Sequence, residues 1–116
     1  MSESIKIREG ITSSIEMQLL SDGVVIDLTN CDHIEMKMMD TKGKVYSYSS
    51  LDSSAISIVT AASGLVDFTP PDTTIFSYAR QPYSLYWWVY PTSGDSTTKY
   101  AVPGSDVAII KVLKDY

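Results

Sequence analysis

One cysteine and one histidine, Cys31 and His33, are the residue types of a nucleophile and its general base. Side chains two positions apart on a strand share a face, so we expect these two to be able to meet. Nucleophilic catalysis also needs a third group that orients the base. The flanking Asn30 and Asp32 are typical of a strand entry rather than of a strained catalytic turn. We therefore predict no catalytic residues, with Cys31 a small buried thiol and His33 an imidazole at the rim of the core.

Residues that could bind a metal are few. A zinc site needs three or four clustered ligands, whereas Cys31 and His33 provide only two soft ones. A calcium site needs six or more oxygen ligands. Asp22, Asp27 and Asp32 lie near one another in the chain without a spacing that gathers them, and a turn explains Asp22. Phosphate-loop and hydrolase motifs are also missing. We predict no metal and no cofactor.

The strongest candidate for binding is the aromatic segment at residues 84–90, which holds both tryptophans. Strand side chains alternate between two faces, which here gives Leu85, Trp87 and Val89 on one face and Tyr86, Trp88 and Tyr90 on the other. We name the second set the aromatic stripe. A strand with one wet face normally has polar residues there. Two interpretations stay open: a core edge whose polar atoms reach water, or an exposed contact for another protein.

The segments around residues 84–90 predict a fold made of strands. Apolar and polar residues alternate with period two along most of the chain, and no window has the pattern of a long amphipathic helix. About eight or nine short strands at roughly ten-residue spacing indicate an all-β sandwich. Met36 and Met38 should lie in its core, with Met39 on the charged face. Residues 72–76 should form one short helical turn capped by Asp72.

Length and charge limit the classes of function. A chain of 116 residues is expected to form a single domain over residues 1–116. The net charge of −5 repels phosphate backbones and anionic lipids, so we expect neither a nucleic-acid nor a membrane partner. The N-terminus lacks the basic and apolar regions of a signal peptide. No apolar run approaches the roughly 20 residues of a membrane span. Synthesis in a reducing cytoplasm is therefore expected.

Three stretches resemble a known family. They are the turn followed by Asp-Leu-Thr within residues 20–30, the segment at residues 36–45, and the Gly-Leu-Val-Asp-Phe segment at residues 64–68. Together they resemble the N-terminal immunoglobulin-like domain of phage baseplate upper proteins, over roughly residues 10–112 of this chain. Asn30 stands where that family more often has glycine, and both residue types adopt the left-handed backbone. The resemblance implies an immunoglobulin-like antiparallel β-sandwich without catalytic residues.

The resemblance also implies a function. Such a domain would be a structural part of a virion tail, baseplate or fibre, made in the host cytoplasm, and would dock a larger receptor-binding component. Its partners would be other virion proteins or further copies of itself, with a trimer among the expected arrangements. The alternative from the residues themselves is a carbohydrate-binding module in which Tyr86, Trp88 and Tyr90 form a stacking platform.

Overall fold

Strands form where β-branched and aromatic residues alternate with polar ones. The computed structural model describes residues 4–21, 23–51, 54–91, 99–104 and 108–114. These residues contain eleven strands: β1 (Ser4–Arg8), β2 (Ile15–Gln18), β3 (Leu20–Ser21), β4 (Val24–Val25), β5 (Cys31–Met39), β6 (Val45–Ser49), β7 (Ile56–Thr60), β8 (Leu65–Phe68), β9 (Tyr83–Pro91), β10 (Tyr100–Val102) and β11 (Ala108–Leu113). Two short 3₁₀ turns cover Ala61–Ser63 and Tyr78–Arg80. Across the described ranges, no helix has the length and apolar character needed to cross a membrane.

The strands pair into two facing sheets and one small hairpin. The larger sheet has the order β1-β11-β9-β5-β6, with β10 also paired to β9, and the smaller sheet has the order β2-β8-β7. Strands β3 and β4 form the hairpin. The strands can be lettered as in an immunoglobulin domain. The smaller sheet, β2-β8-β7, then has the order B-E-D. In the larger sheet β9, β5 and β6 are F, C and C′, and β10 and β11 both lie at position G, which gives the order G-F-C-C′. These are the two sheets of an immunoglobulin-like sandwich. The all-β sandwich is confirmed.

Alternate residues of the two sheets fill one interior. On β9 the inner face holds Leu85, Trp87 and Val89, and all three are buried. Met36 and Met38 of β5 lie beside them, because Met36 pairs with Trp87 and Met38 with Leu85. The smaller sheet adds core residues of its own, including Ile56, Val66 and Phe68. The prediction that Met36 and Met38 are core residues is confirmed, as is the outward position of Met39, which is 47% exposed.

The sequence did not predict two details of the sheets. The described residues form eleven strands, whereas we expected eight or nine. Strands β3 and β4 have only two residues each, which is too few for an alternating pattern to reveal. One pair is parallel, β1 with β11, where we expected antiparallel pairing throughout. Asp22, to which we assigned a turn, lies outside the described residues.

The helical turn predicted at residues 72–76 does not form. Asp72 instead accepts a hydrogen bond from the backbone N–H of Thr74, at 2.8 Å, which closes a local turn. Ile75 and Phe76 are buried, and Phe76 packs edge-on against Tyr83 with 5.1 Å between ring centroids. Packing of these two side chains in the core thus overrides the local helical preference.

Gly64 closes the first 3₁₀ turn with a positive φ of 64°. A Cβ at this position would lie 2.6 Å from the carbonyl oxygen of Ile26 and 3.1 Å from that of Leu19. Gly43 also has positive φ but faces open space. We expect Gly64→Ala to lower the free energy of unfolding by about 2–3 kcal/mol and Gly43→Ala by about 1 kcal/mol. Urea unfolding measures both, and equal losses would contradict the steric explanation.

Candidate functional site: the outer face of the larger sheet

Strands β5 and β9 bring the aromatic stripe together with three polar side chains. The antiparallel register sets His33 opposite Tyr90, Glu35 opposite Trp88, and Lys37 opposite Tyr86. All six side chains point away from the core, and all are half-buried. The alternation predicted for β9 is therefore confirmed, with the aromatic stripe on the outer face of the sheet. The role of Tyr86, Trp88 and Tyr90 in binding stays a prediction.

Two rings of the aromatic stripe contact each other, and Lys99 and His33 pack against the stripe. Tyr86 and Trp88 pack edge to face, with centroids 5.6 Å apart and an interplanar angle of 83°. The Lys99 Nζ atom lies 4.4 Å from the Trp88 ring centroid and 5.7 Å from that of Tyr90. His33 stacks on Tyr90 at 4.1 Å with an angle of 13°. These contacts hold the rings in fixed orientations although the face is open to solvent.

Glu35 is the acidic centre of this face. One carboxylate oxygen of Glu35 lies 3.4 Å from the Tyr90 hydroxyl, which donates to it, and 3.7 Å from Lys37 Nζ. Lys37 Nζ donates to the hydroxyl oxygen of Ser47 at 2.9 Å, and Ser47 in turn donates to Glu35 at 3.4 Å. The polar side chains of β5 and β6 therefore form a connected network beside the rings, which orients Lys37 and Glu35 relative to Trp88.

An open groove continues this face toward the turn between β5 and β6. Its volume is about 260 Å³, and its lining residues are Lys37, Met38, Met39, Val45, Ser84 and Tyr86. Val45 is 61% exposed and pairs with the exposed Met39. Sequence reasoning missed this groove and also missed Lys99. The signals that were available are the apolar residues Met39 and Val45 at positions that alternation assigns to solvent.

Cys31 and His33 do not share a face, so that prediction is wrong. The pairing of β5 with β9 shifts register between Cys31 and His33, which leaves Asp32 as an inserted residue. Cys31 packs against the core, whereas His33 stacks on Tyr90 outside and its Nδ1 lies 2.6 Å from a carboxylate oxygen of Asp32. Burial and the nearby Asp32 charge raise the pKa of the Cys31 thiol. A raised pKa keeps the thiol protonated and weakly nucleophilic.

The carboxylates considered for calcium have local partners instead. Asp27 accepts a hydrogen bond from the Thr29 N–H at 2.9 Å, and the bonds from Thr29 lower the pKa of Asp27. Asp32 contacts His33, and Asp22 lies outside the described residues. Within the ranges that the structure describes, no three His, Cys, Asp or Glu side chains are grouped closely enough to hold a metal ion.

Compared with protein-family models, with curated proteins and with solved structures, the chain has no match in any of the three. The resemblance to the phage baseplate domain therefore stays a prediction. A function for the aromatic stripe must be inferred from its geometry and charge.

Proposed function

We propose that this chain is a non-enzymatic assembly module of a phage virion, in a tail, baseplate or fibre, and that its aromatic stripe binds another protein. The observation that carries the binding proposal is the row of half-exposed Tyr86, Trp88 and Tyr90 on the outer face of a sheet. The assignment to a virion depends on the sequence resemblance. Copies of the chain itself and other virion proteins are the proposed partners.

The chemistry of the stripe is that of a protein contact. Tyrosine and tryptophan are the residues most enriched where binding energy concentrates in protein interfaces. Here strands hold them, and Lys99 and His33 pack on the rings of Trp88 and Tyr90. Rings that are already ordered lose little side-chain entropy on binding. The polar network around Glu35 provides the rim that such an interface has around its apolar centre.

Carbohydrate binding is the second candidate, and the ring geometry favours it less. A sugar stacks on the open face of an aromatic ring. The Lys99 ammonium lies over the Trp88 ring, and His33 covers one face of Tyr90. Tyr86 is nearly perpendicular to Trp88, so these two rings do not form one flat platform. A titration of tryptophan fluorescence with polysaccharides is expected to show no saturable change.

Trp88→Ser tests the role of the stripe. We expect wild-type protein to form oligomers whose mass rises with concentration, and Trp88→Ser to remain at the monomer mass. The variant removes the central ring of the stripe while leaving the buried Trp87 in place. Multi-angle light scattering over a concentration series measures the mass, and circular dichroism checks that the variant is folded.

Tyr78→Ser is the matched control. Tyr78 is an exposed aromatic residue on the second 3₁₀ turn and is not part of the aromatic stripe, so this variant should associate as the wild type does. Identical masses for wild type and Trp88→Ser at every concentration would contradict a role of the stripe in self-assembly. Mass spectrometry of purified phage particles tests the virion assignment separately, since the proposal requires the chain to be present in them.

A further inference from the structure

The outer faces of the two sheets carry charges of opposite sign. Among the described residues on the outer face of the larger sheet, two are acidic, Asp32 and Glu35. Five are basic, and we name them the basic face: Lys6, Arg8, Lys37, Lys99 and Lys111. The described strands of the smaller sheet contain no lysine or arginine, and Glu16 and Asp67 point outward there. We name this pair the acidic face. Because the sheets form a sandwich, the basic and acidic faces lie on opposite sides of the molecule.

Each face contains two like charges in register. Lys6 of β1 is opposite Lys111 of β11, and Glu16 of β2 is opposite Asp67 of β8. Neighbouring strands are about 4.8 Å apart, so the charges of each pair repel one another. Within the described ranges, none of these four side chains makes an ion pair. Contact between the basic face of one molecule and the acidic face of another would offset both repulsions.

We propose that the partner of the basic face is the acidic face of a second copy of this chain, in a head-to-tail contact. This inference rests on the proposed assembly function and names the partner in it. Exposed apolar residues stand beside the charges on both sides: Leu113, 42% exposed, follows Lys111 on β11, and Val59, 49% exposed, lies in the bulge of β7. The contact therefore combines charge complementarity with apolar area.

Two other partners fit less well. Two basic faces packed against one another would bring cations against cations, which suppresses a symmetric dimer through this face. A nucleic acid or another polyanion would meet the net charge of −5 of the whole chain at longer range. A head-to-tail contact uses different surfaces on the two copies. Repetition of such a contact builds a ring if the rotation closes and an open stack if it does not.

Complementary charge reversal tests the contact. One variant combines Lys6→Glu with Lys111→Glu, and the other combines Glu16→Lys with Asp67→Lys. Each variant alone should associate at least about tenfold more weakly than wild type, since like charges then meet across the contact. An equimolar mixture should recover association, because both new pairings are complementary. Analytical ultracentrifugation at about 50 mM salt measures the association constants with little screening.

The two variants are matched controls for each other. Each changes both members of an in-register pair, so a like-charge pair remains and the stability of the fold should not fall; thermal unfolding checks this. Both variants keep a negative net charge, so general attraction between them cannot explain a recovery. Association of both variants at wild-type strength, or a mixture that does not recover, overturns the head-to-tail contact.

The charge-reversal experiment can fail while the test of the proposed function succeeds. If Trp88→Ser dissociates the oligomer while both charge variants associate normally, the stripe binds protein and only the acidic-face partner is wrong. If wild-type protein stays monomeric at every concentration, the head-to-tail contact is overturned.

Discussion

Trp87→Ala is expected to lower the free energy of unfolding by about 3–5 kcal/mol, because it leaves a large cavity in the centre of the core. Trp87 is only 3% exposed, and it lies between Leu85 and Val89 on the inner face of β9. Met36 is its register partner on β5 and is fully buried. Strands on both sides of β9 fix the backbone at this point, so the cavity cannot collapse easily.

Trp88→Ala is the matched control, since it is the same substitution one residue along the same strand. Trp88 is half-buried on the outer face, and its main contacts are Lys99 and Tyr86. Its replacement should therefore cost only about 1 kcal/mol. Urea unfolding followed by circular dichroism measures both variants without depending on tryptophan fluorescence. Equal losses would mean that the two tryptophans are not divided between inner and outer faces as described.

The division of β9 into two faces was predictable from sequence. Strand side chains alternate between two faces, so only one choice remains, which of the two sets points into the core. The set with Leu85 and Val89 holds two aliphatic side chains beside the Trp87 indole, whereas Tyr86 and Tyr90 of the other set each have a hydroxyl to present to water. The same logic placed Met36 and Met38 inside. An inserted residue breaks this logic. The bulge at Asp32 has no signature in an alternating pattern, and so the predicted common face for Cys31 and His33 was wrong.

The composition of the site was less predictable than its position. Local alternation identifies Tyr86, Trp88 and Tyr90 but says nothing of which strands lie beside them. The register between β5 and β9 places His33 and Lys37 beside the stripe. Lys99 lies beside it because it directly precedes β10, which pairs with β9. Register between strands far apart in sequence depends on the whole sheet. The separation of basic and acidic faces was hidden for the same reason.

Asp40 is the one charged residue that is buried among the described ranges. One carboxylate oxygen accepts hydrogen bonds from the backbone N–H groups of Lys42 and Lys44, at 2.9 Å and 3.0 Å. The other accepts from the Tyr46 hydroxyl at 3.1 Å and from the Arg80 guanidinium at 3.0 Å. Sequence could indicate the two turn bonds, whereas Arg80 comes from a distant segment.

The pKa values in this cluster follow from burial and these bonds. Burial alone would raise the pKa of Asp40, but the hydrogen bonds from Lys44, Arg80, Lys42 and Tyr46 outweigh it, so the pKa lies below its usual value. Burial and the bond to Asp40 raise the pKa of Tyr46 to about 12. Tyr46 therefore remains a hydrogen-bond donor, and Asp40 remains ionised, across the neutral range.

Asp40→Ala should lower the free energy of unfolding at pH 7 by about 3–4 kcal/mol, because buried donors lose a charged acceptor. Asp72→Ala is the control: Asp72 accepts a similar turn bond from Thr74 but is exposed, so its loss should be small. Urea unfolding at pH 7 compares the two variants. A loss for Asp40→Ala no larger than that for Asp72→Ala would contradict the importance of the buried cluster.

The pH dependence separates the charge of Asp40 from its shape. Since its folded pKa is depressed, Asp40 contributes stability that is fully present above the unfolded pKa of about 3.9 and is lost as pH falls through the lower folded pKa. Asp40→Asn keeps one acceptor oxygen and cannot ionise. The gap in unfolding free energy between wild type and Asp40→Asn should therefore be largest near pH 7 and should shrink steadily below about pH 4. A gap that stays constant between pH 7 and pH 2 would show that the carboxylate contributes through its shape alone, and that the ion pair with Arg80 adds nothing to the fold.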